Sequence, residues 1–491
     1  MRSEKLQDAI GMIDPDLVER AEWLKPSRKG RFSVKWIAPV AAVLVFAIVI
    51  GVLNGRRDPL PETAEPPTPV LSVLDACALA QATYPIMARY PSSNVWDEER
   101  QQQYQAWWED QNKQKAYFGA GQGLEDFFSS TVSVFLADSN GENRVYSPLN
   151  LYMALAMLAE AAGGNSRAQI LDVLGVDSME TLRTQANGVW NANYCDDGTQ
   201  TTVLASSLWL ENGLSVQREV VDRLANTYYA SSYQGNLGGE EMNEALRMWV
   251  NQQTGNFLEE QIGDLSFSKD TVMAIATTLY FRADWSADFS KKATKESVFH
   301  APTGDITVPF MNQKLRETYY WGEHFAAVSK SFSQGGSMWL ILPDEDVSLN
   351  DLLTDEETLR FITAKKGDWE NQRLMEVTLS MPKFDMSSNL ELSGGLRRMG
   401  LADCFNPWKA DFSSIVADDH DIFLDRVDHR VRVSVDEEGV EGASVTLLGA
   451  SDSAQPPPEV DEIDFVLDRP FLFVITGGDG LPLFIGTVNQ P

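Results

Sequence analysis

Apolar positions in this chain follow three different rhythms, and each rhythm predicts a different kind of element. Gly123–Ala137 and Leu151–Leu174 place apolar residues at helical spacing, and Glu240–Glu260, carrying Trp249, predicts a further helix. Val73–Arg89 and Glu98–Lys115 are helix-compatible, and Pro15–Leu24 could hold a short helix. Later in the chain the period shortens. Val272–Phe281, Met338–Leu342, Val377–Leu379, Val431–Val435, Phe465–Leu467, Phe471–Thr476 and Leu483–Val488 are rich in β-branched and aromatic residues and predict strands. Helices early and strands late imply an α+β domain with large antiparallel sheets, not repeated βαβ units.

The third rhythm is unbroken apolarity. Trp36–Leu53 carries no charge over 18 residues, near the lower end for a membrane-spanning helix. Pro39 sits near its start, where a missing amide hydrogen costs least. Lys25, Arg28, Lys29, Arg31 and Lys35 precede it, which favours an inside N-terminus and a body outside. A secretory leader is the rival, but 35 residues before the apolar core exceed what a leader needs, and Asn54–Gly55 is a poor cleavage site. Pro59–Val70 holds five prolines and reads as an extended spacer. The expected order is a cytoplasmic segment 1–35, a transmembrane helix 36–54, a proline-rich linker 55–70, a helical extension 71–118 and a globular domain 119–491. The expected location is the cell membrane, single-pass, with that domain extracytoplasmic.

Composition then narrows the function. With 40 basic against 71 acidic residues the net charge is −31, which disfavours nucleic acid and anionic lipid headgroups as partners. Cys77, Cys195 and Cys404 are far apart and form neither a metal-spacing motif nor a disulfide framework. No zinc-protease motif, phosphate loop or dinucleotide glycine signature occurs, so no catalytic residue, metal or cofactor is expected. Trp107 and Trp108 could form a carbohydrate platform, but packing against the neighbouring body is the preferred use.

Several separated segments share one resemblance. YSPLN at Tyr146–Asn150 opens a long apolar run with Ser166, Ile170 and Val173–Gly175 near its end. Then come Trp249-Val250-Asn251 with Thr254-Gly255 and Ile262, Leu279-Tyr280-Phe281 with Trp285, and VPFM at Val308–Met311. MPKF at Met381–Phe384, ADFSSI at Ala410–Ile415 and PLFIG at Pro482–Gly486 complete the set. In this order, over about 119–491, they resemble the serpin family, and with the anchor the chain looks like a bacterial, membrane-anchored serine protease inhibitor. The resemblance implies three β-sheets, about nine helices and an exposed reactive-centre loop near the C-terminus.

The loop resemblance rests on Glu437–Val445, EEGVEGASV, followed by a small, polar, proline-ending tract. By the family's spacing Glu437 is the first hinge acid and Gly439 the hinge glycine, followed by Val440, Glu441, Gly442, Ala443, Ser444 and Val445. Counting onward puts Ser453 and Ala454 either side of the bond a protease would cut, ahead of Gln455 and three prolines. Independently of the resemblance, a strand of these residues would turn Val440, Gly442, Ser444 and Thr446 to one face, and none is charged. Glu441 has the opposite parity. Gly442 replaces a commoner alanine and weakens strand propensity, which would slow insertion.

What the family implies is suicide inhibition: loop cleavage, strand insertion and covalent trapping of a serine protease. The small side chains around Ser453 favour extracellular proteases with small primary pockets, elastase-like or subtilisin-like, and 439–461 lacks the Arg or Lys a trypsin-like enzyme would take. The alternative is a non-inhibitory member serving as a surface binding or structural module. The resemblance also implies a network governing sheet opening, with Ser147, Asn150, Thr277 and His429 under the main sheet and Trp285 near the loop's point of insertion. Asn150 and Thr277 depart from the residues usual there.

Overall fold

The computed structural model describes residues 72–91, 97–139, 141–363, 366–417, 422–424, 426–440 and 460–491. The segments 1–35, 36–54 and 55–70 lie outside the described residues. No helix among the described residues is long and apolar enough to cross a membrane.

Strands are numbered in chain order. The first sheet runs, in space, β1 (Ala78–Ala80), β5 (Ala230–Gly235), β4 (Gln200–Glu211), β6 (Met273–Asp284), β14 (Gly439–Val440), β13 (Asp428–Val435) and β12 (Phe384–Glu391), with β3 (Cys195–Asp196) against β4. The second runs β15 (Glu462–Val466), β11 (Gln372–Pro382), β8 (Gly304–Trp321), β9 (Phe325–Ser331), β10 (Ser337–Pro343), β16 (Phe471–Thr476), β17 (Pro482–Val488) and β2 (Arg144–Tyr146), with β7 (Lys295–Ala301) against β8. Three sheets are expected, but the described residues form two hydrogen-bonded sheets. The cause is β8, whose 18 residues pair first with β7, then with β11, and at Tyr320–Trp321 with β9, stitching two sheets into one.

The described residues contain eleven α-helices. Two precede the family-like region: α1 (Val73–Cys77) and α2 (Glu98–Lys115). The other nine are α3 (Glu125–Leu136), α4 (Pro148–Ala161), α5 (Gly164–Val173), α6 (Met179–Asn193), α7 (Arg218–Thr227), α8 (Glu240–Gln253), α9 (Leu349–Leu352), α10 (Glu356–Thr363) and α11 (Ser393–Arg398). α4 is buried on every side, in a core shared by both sheets. That explains its all-round apolarity. α8 contributes to a second cluster in which Leu246, Trp249 and Val250 pack with Trp209 and Tyr233 of the first sheet.

Three predicted helices change. The run Leu151–Leu174 is two helices, because Gly163 and Gly164 press against the Asp411 carboxylate and Gly164 has φ +41°. A Cβ on Gly163 would lie 2.5 Å from an Asp411 oxygen. α8 stops at Gln253, where Thr254 donates back to the Val250 carbonyl and Gly255 and Asn256 take φ of +56° and +67°. Of Val73–Arg89 only the first turn is helical. The chain then pairs as β1 along the edge of β5 and continues without regular structure, and a helix there would forfeit this edge pairing.

The extension is bound closely to the body. Tyr84 lies among Trp190 and Tyr194, and its hydroxyl donates to Gln253 at 3.0 Å. The Trp107 indole donates to the fully buried Asp197 carboxylate at 2.8 Å, so the packing use of this tryptophan is the observed one. Trp108 is partly exposed beneath the Lys115 ammonium.

Candidate functional site

β13 is a strand because Val431, Val433 and Val435 face the core, while Arg430 and Arg432 reach outward. From the outward face, Arg432 donates to the Phe257 carbonyl and pairs with Asp385, and Arg430 donates to the Gln261 carbonyl and pairs with Asp264. The Phe257, Gln261 and Asp264 contacts tie β13 to the segment after α8, and the Asp385 pair ties it to β12.

Beyond Val435 the chain reverses on Asp436. Its carboxylate accepts from the amides of Glu438 and Gly439 at 2.9 and 3.2 Å, a local turn built by one side chain. The chain then slots between β6 and β13 as β14. Gly439 pairs with Asp284, and Val440 pairs with Ala283 on one side and Val435 on the other. A Cβ at Gly439 would stand 2.3 Å from the Ala283 carbonyl oxygen, so only glycine allows this approach. Val440 is 2% exposed.

Glu437 and Glu438 are held individually. Glu437 accepts from Lys383 Nζ at 2.7 Å and Thr294 Oγ1 at 2.8 Å. Burial raises the Glu437 pKa, but those two hydrogen bonds and the Lys383 charge outweigh it and leave the carboxyl below its ordinary value. Glu438 pairs with Lys291 at 2.5 Å. The turn after β6 grips the same segment from the other side. The Trp285 amide donates to the Glu438 carbonyl at 3.0 Å, the Phe289 amide to the Glu437 carbonyl at 2.9 Å, and the Trp285 indole to the Asp436 carbonyl at 2.9 Å. Trp285 also stacks on Phe332, with centroids 5.1 Å apart.

Among the described residues β6 and β13 are strand-paired only through β14, which ends at Val440. A cavity of about 310 Å³ lies farther along the seam, lined by Leu246 and Val250 of α8, Met273–Thr278 of β6, and Arg426 and Arg430. Thr277 is half-buried on this wall, and no hydrogen bond joins it to Ser147 or His429 among the described residues.

Ser147, Asn150 and His429 do come together. The His429 Nε2 accepts the Ser147 amide at 2.9 Å, and Ser147 Oγ caps α4 by accepting the Asn150 amide at 3.1 Å. His429 is 1% exposed, and burial pushes its pKa down to about 4. Asn150 is fully buried, and among the described residues neither of its side-chain polar atoms has a hydrogen-bond partner. The loop residues Glu441, Gly442, Ala443, Ser444, Val445, Ser453 and Ala454 lie outside the described residues. Sequence reasoning overlooked Asp436, Lys383 and Thr294, which hold the segment Asp436–Val440 in place. Only Lys383 stood inside a recognised motif, MPKF.

The family model for serpin (serine protease inhibitor) matches residues 123–491. The chain belongs to the serpin family. Among curated serpins it is similar to Serpin-ZX of Arabidopsis thaliana, 27% identical over 371 residues, covering 72% of this chain and 93% of that protein. The leukocyte elastase inhibitor of Homo sapiens is 29% identical over 378 residues, covering 74% and 97%. The native-state structure of the thermophilic serpin tengpin aligns with a TM-score of 0.67 at 25% identity, covering 83% of this chain and 98% of that one. In this serpin Asp436–Val440 lie where the chain leaves β13, and residues 441–459, outside the described residues, connect them to β15.

Proposed function

We propose that this serpin is a suicide inhibitor of serine proteases and not an enzyme. The observation that carries the reading is β14: two hinge residues, Gly439 and Val440, already hydrogen-bonded between two strands whose shared seam runs on to a cavity. A protease serine oxygen attacks the Ser453 carbonyl carbon. The bond to Ala454 breaks, the Ala454 amine leaves with a proton, and an ester joins the two proteins. The loop from Glu441 onward then extends β14 between β6 and β13 and carries the acylated protease along. Trapping requires insertion to outrun hydrolysis of the ester. Small side chains at Ser453 and Ala454 suit elastase-like and subtilisin-like enzymes, and the similarity to a human elastase inhibitor is consistent with that choice. Ser147, Asn150 and His429 act in this reading as the network that meters sheet opening, with Thr277 apart from it on the cavity wall, and Trp285 as the guide at the hinge.

The anchor completes the proposal. Residues 36–54 span the membrane once and 55–70 hold the inhibitor outside, where proteases arrive. Protein recovered from washed membranes supports this topology. Recovery only as a shortened form in the medium removes it.

Mixing the full-length chain with elastase-like, subtilisin-like and trypsin-like proteases tests inhibition. A denaturant-stable covalent product with the first two, and a released peptide beginning at Ala454, is expected. Cleavage without a covalent product would instead make the protein a non-inhibitory member acting as a surface binding or structural module.

A further inference from the structure

Lysine is rarely buried, yet Lys330, next to the end of β9, is 4% exposed. It lies directly under the turn that grips the hinge. Its Nζ donates to the Ala287 carbonyl at 2.6 Å and to Gln313 Oε1 at 2.5 Å, and Gln313 in turn donates to the carbonyls of Ala287 and Asp288. The same ammonium lies 4.3 Å from the Phe289 ring centroid and 5.3 Å from that of Trp285. Trp285 and Phe289 are the two residues that bond the carbonyls of Asp436, Glu437 and Glu438. One buried cation therefore underlies all three of these hydrogen bonds to the hinge.

We propose that Lys330 is a positioning residue for strand insertion: its charge holds the 285–289 turn in the shape that anchors the first residues of the inserting strand. This rests on the inhibitory reading above. Adding a strand is hardest at its start, because the first pairs order backbone before neighbouring pairs repay it. Residues 436–438 lie upstream of everything that must insert, so their bonds to the turn persist while β14 lengthens. Weakening the turn loosens the nucleus, slows insertion and gives water longer to release the protease.

Lys330 can also lose its charge in an accessible range, because burial lowers its pKa to about 8. The charged groups that oppose this are Asp288 from the turn and Glu317 from β8. β9 holds no other charged residue and the neighbouring β10 holds none. Nearby, Glu437 and Glu438 are paired with Lys383 and Lys291, and burial raises the Asp284 pKa. Below about pH 8 the turn is built on an ammonium. Above it, on a neutral amine with weaker hydrogen bonds and no cation–π attraction. Global stability moves the other way: a lysine with a lowered native pKa favours the fold more as pH rises toward its free value. Weaker inhibition at alkaline pH would therefore not be unfolding.

The test compares full-length parent, Lys330→Met, Lys330→Gln and Lys330→Arg with one subtilisin-like protease from about pH 6.5 to 9.5. The quantity read is inhibitor cleaved per protease trapped, as a ratio of variant to parent at each pH, which cancels the protease's own titration. Met and Gln are expected to raise it several-fold at the acid end and to converge on the parent at the alkaline end. Arg, charged throughout, is expected to stay near the parent at low pH and fall below it at high pH. Neutral variants that match the parent everywhere, or differ by one constant factor at every pH, would overturn the assignment. No covalent product from the parent at any pH would remove the inhibitory reading, and this proposal with it.

Discussion

Glu437 shows how much one carboxylate can hold. It is 6% exposed, bonded to Lys383 and Thr294, and sits at the point where the chain turns into the sheet. Glu437→Lys would set two ammonium groups together and leave Thr294 without its acceptor. Breaking a buried pair costs about 3–5 kcal/mol, but Lys383 is about one-third exposed, so screening lowers the expected loss to about 2 kcal/mol. A thermal melt should show the loss, and Glu437→Gln, which keeps both contacts, should lose less. A Glu437→Gln melt equal to the parent's would deny the ion pair any part, and equal melting of the two variants would deny any to the like-charge contact. His429 makes a pH argument. Its native pKa of about 4 lies below the ordinary 6.5, so the unfolded chain binds the extra proton first. Its contribution is complete above about pH 6.5 and is lost as pH falls toward 4, by about 3 kcal/mol in all. His429→Gln, which still offers an acceptor to the Ser147 amide, should flatten that part of a stability–pH curve. An unchanged slope would place the titration elsewhere.

Elements differ in how much of them a sequence reveals. Val440 reads in the sequence as an uncharged, apolar strand position, and its place between Ala283 and Val435 makes a sharp expectation. Val440→Arg would require a guanidinium where the side chain is 2% exposed, costing several kcal/mol if it stayed inserted. The chain should therefore leave the sheet, and most variant molecules should be cut without forming the covalent product, raising the cleaved-to-trapped ratio at least about tenfold. An unchanged ratio would show that β14 need not form for trapping. Strands and amphipathic helices with internal periods were readable because their burial is local in pattern. Residues 73–89 were misread because their partner, β5, lies about 150 positions away and decides between helix and strand. The split between α4 and α5 depends on Asp411 in the same non-local way. Lys330 carried no signal, since a lone lysine within FAAVSKS reads as an exposed polar position.

The whole molecule poses a question of state more than of shape. β6 and β13 meet through a two-residue strand, while 441–459 connects that strand to β15. An intact loop is tethered at both ends. In the proposed mechanism one cut frees its N-terminal part to lengthen β14 along the seam, pairing on both sides with strands that already exist. About a dozen added residues, each contributing on the order of 0.5–1.5 kcal/mol through backbone hydrogen bonds and burial, would stabilise the cut chain by about 10 kcal/mol. For a domain of this size that is a rise in Tm on the order of 10–20 °C. On that mechanism the intact form would persist because a barrier separates it from a lower state, not because it is the lowest. Calorimetry on full-length protein before and after a single cut within 441–459, made by a protease that cannot be trapped as an ester, reads this directly. A large upward shift would mean that the seam accepts the loop. An unchanged or lower Tm would mean that cleavage releases no strand, and the inhibitory mechanism would lose its source of work.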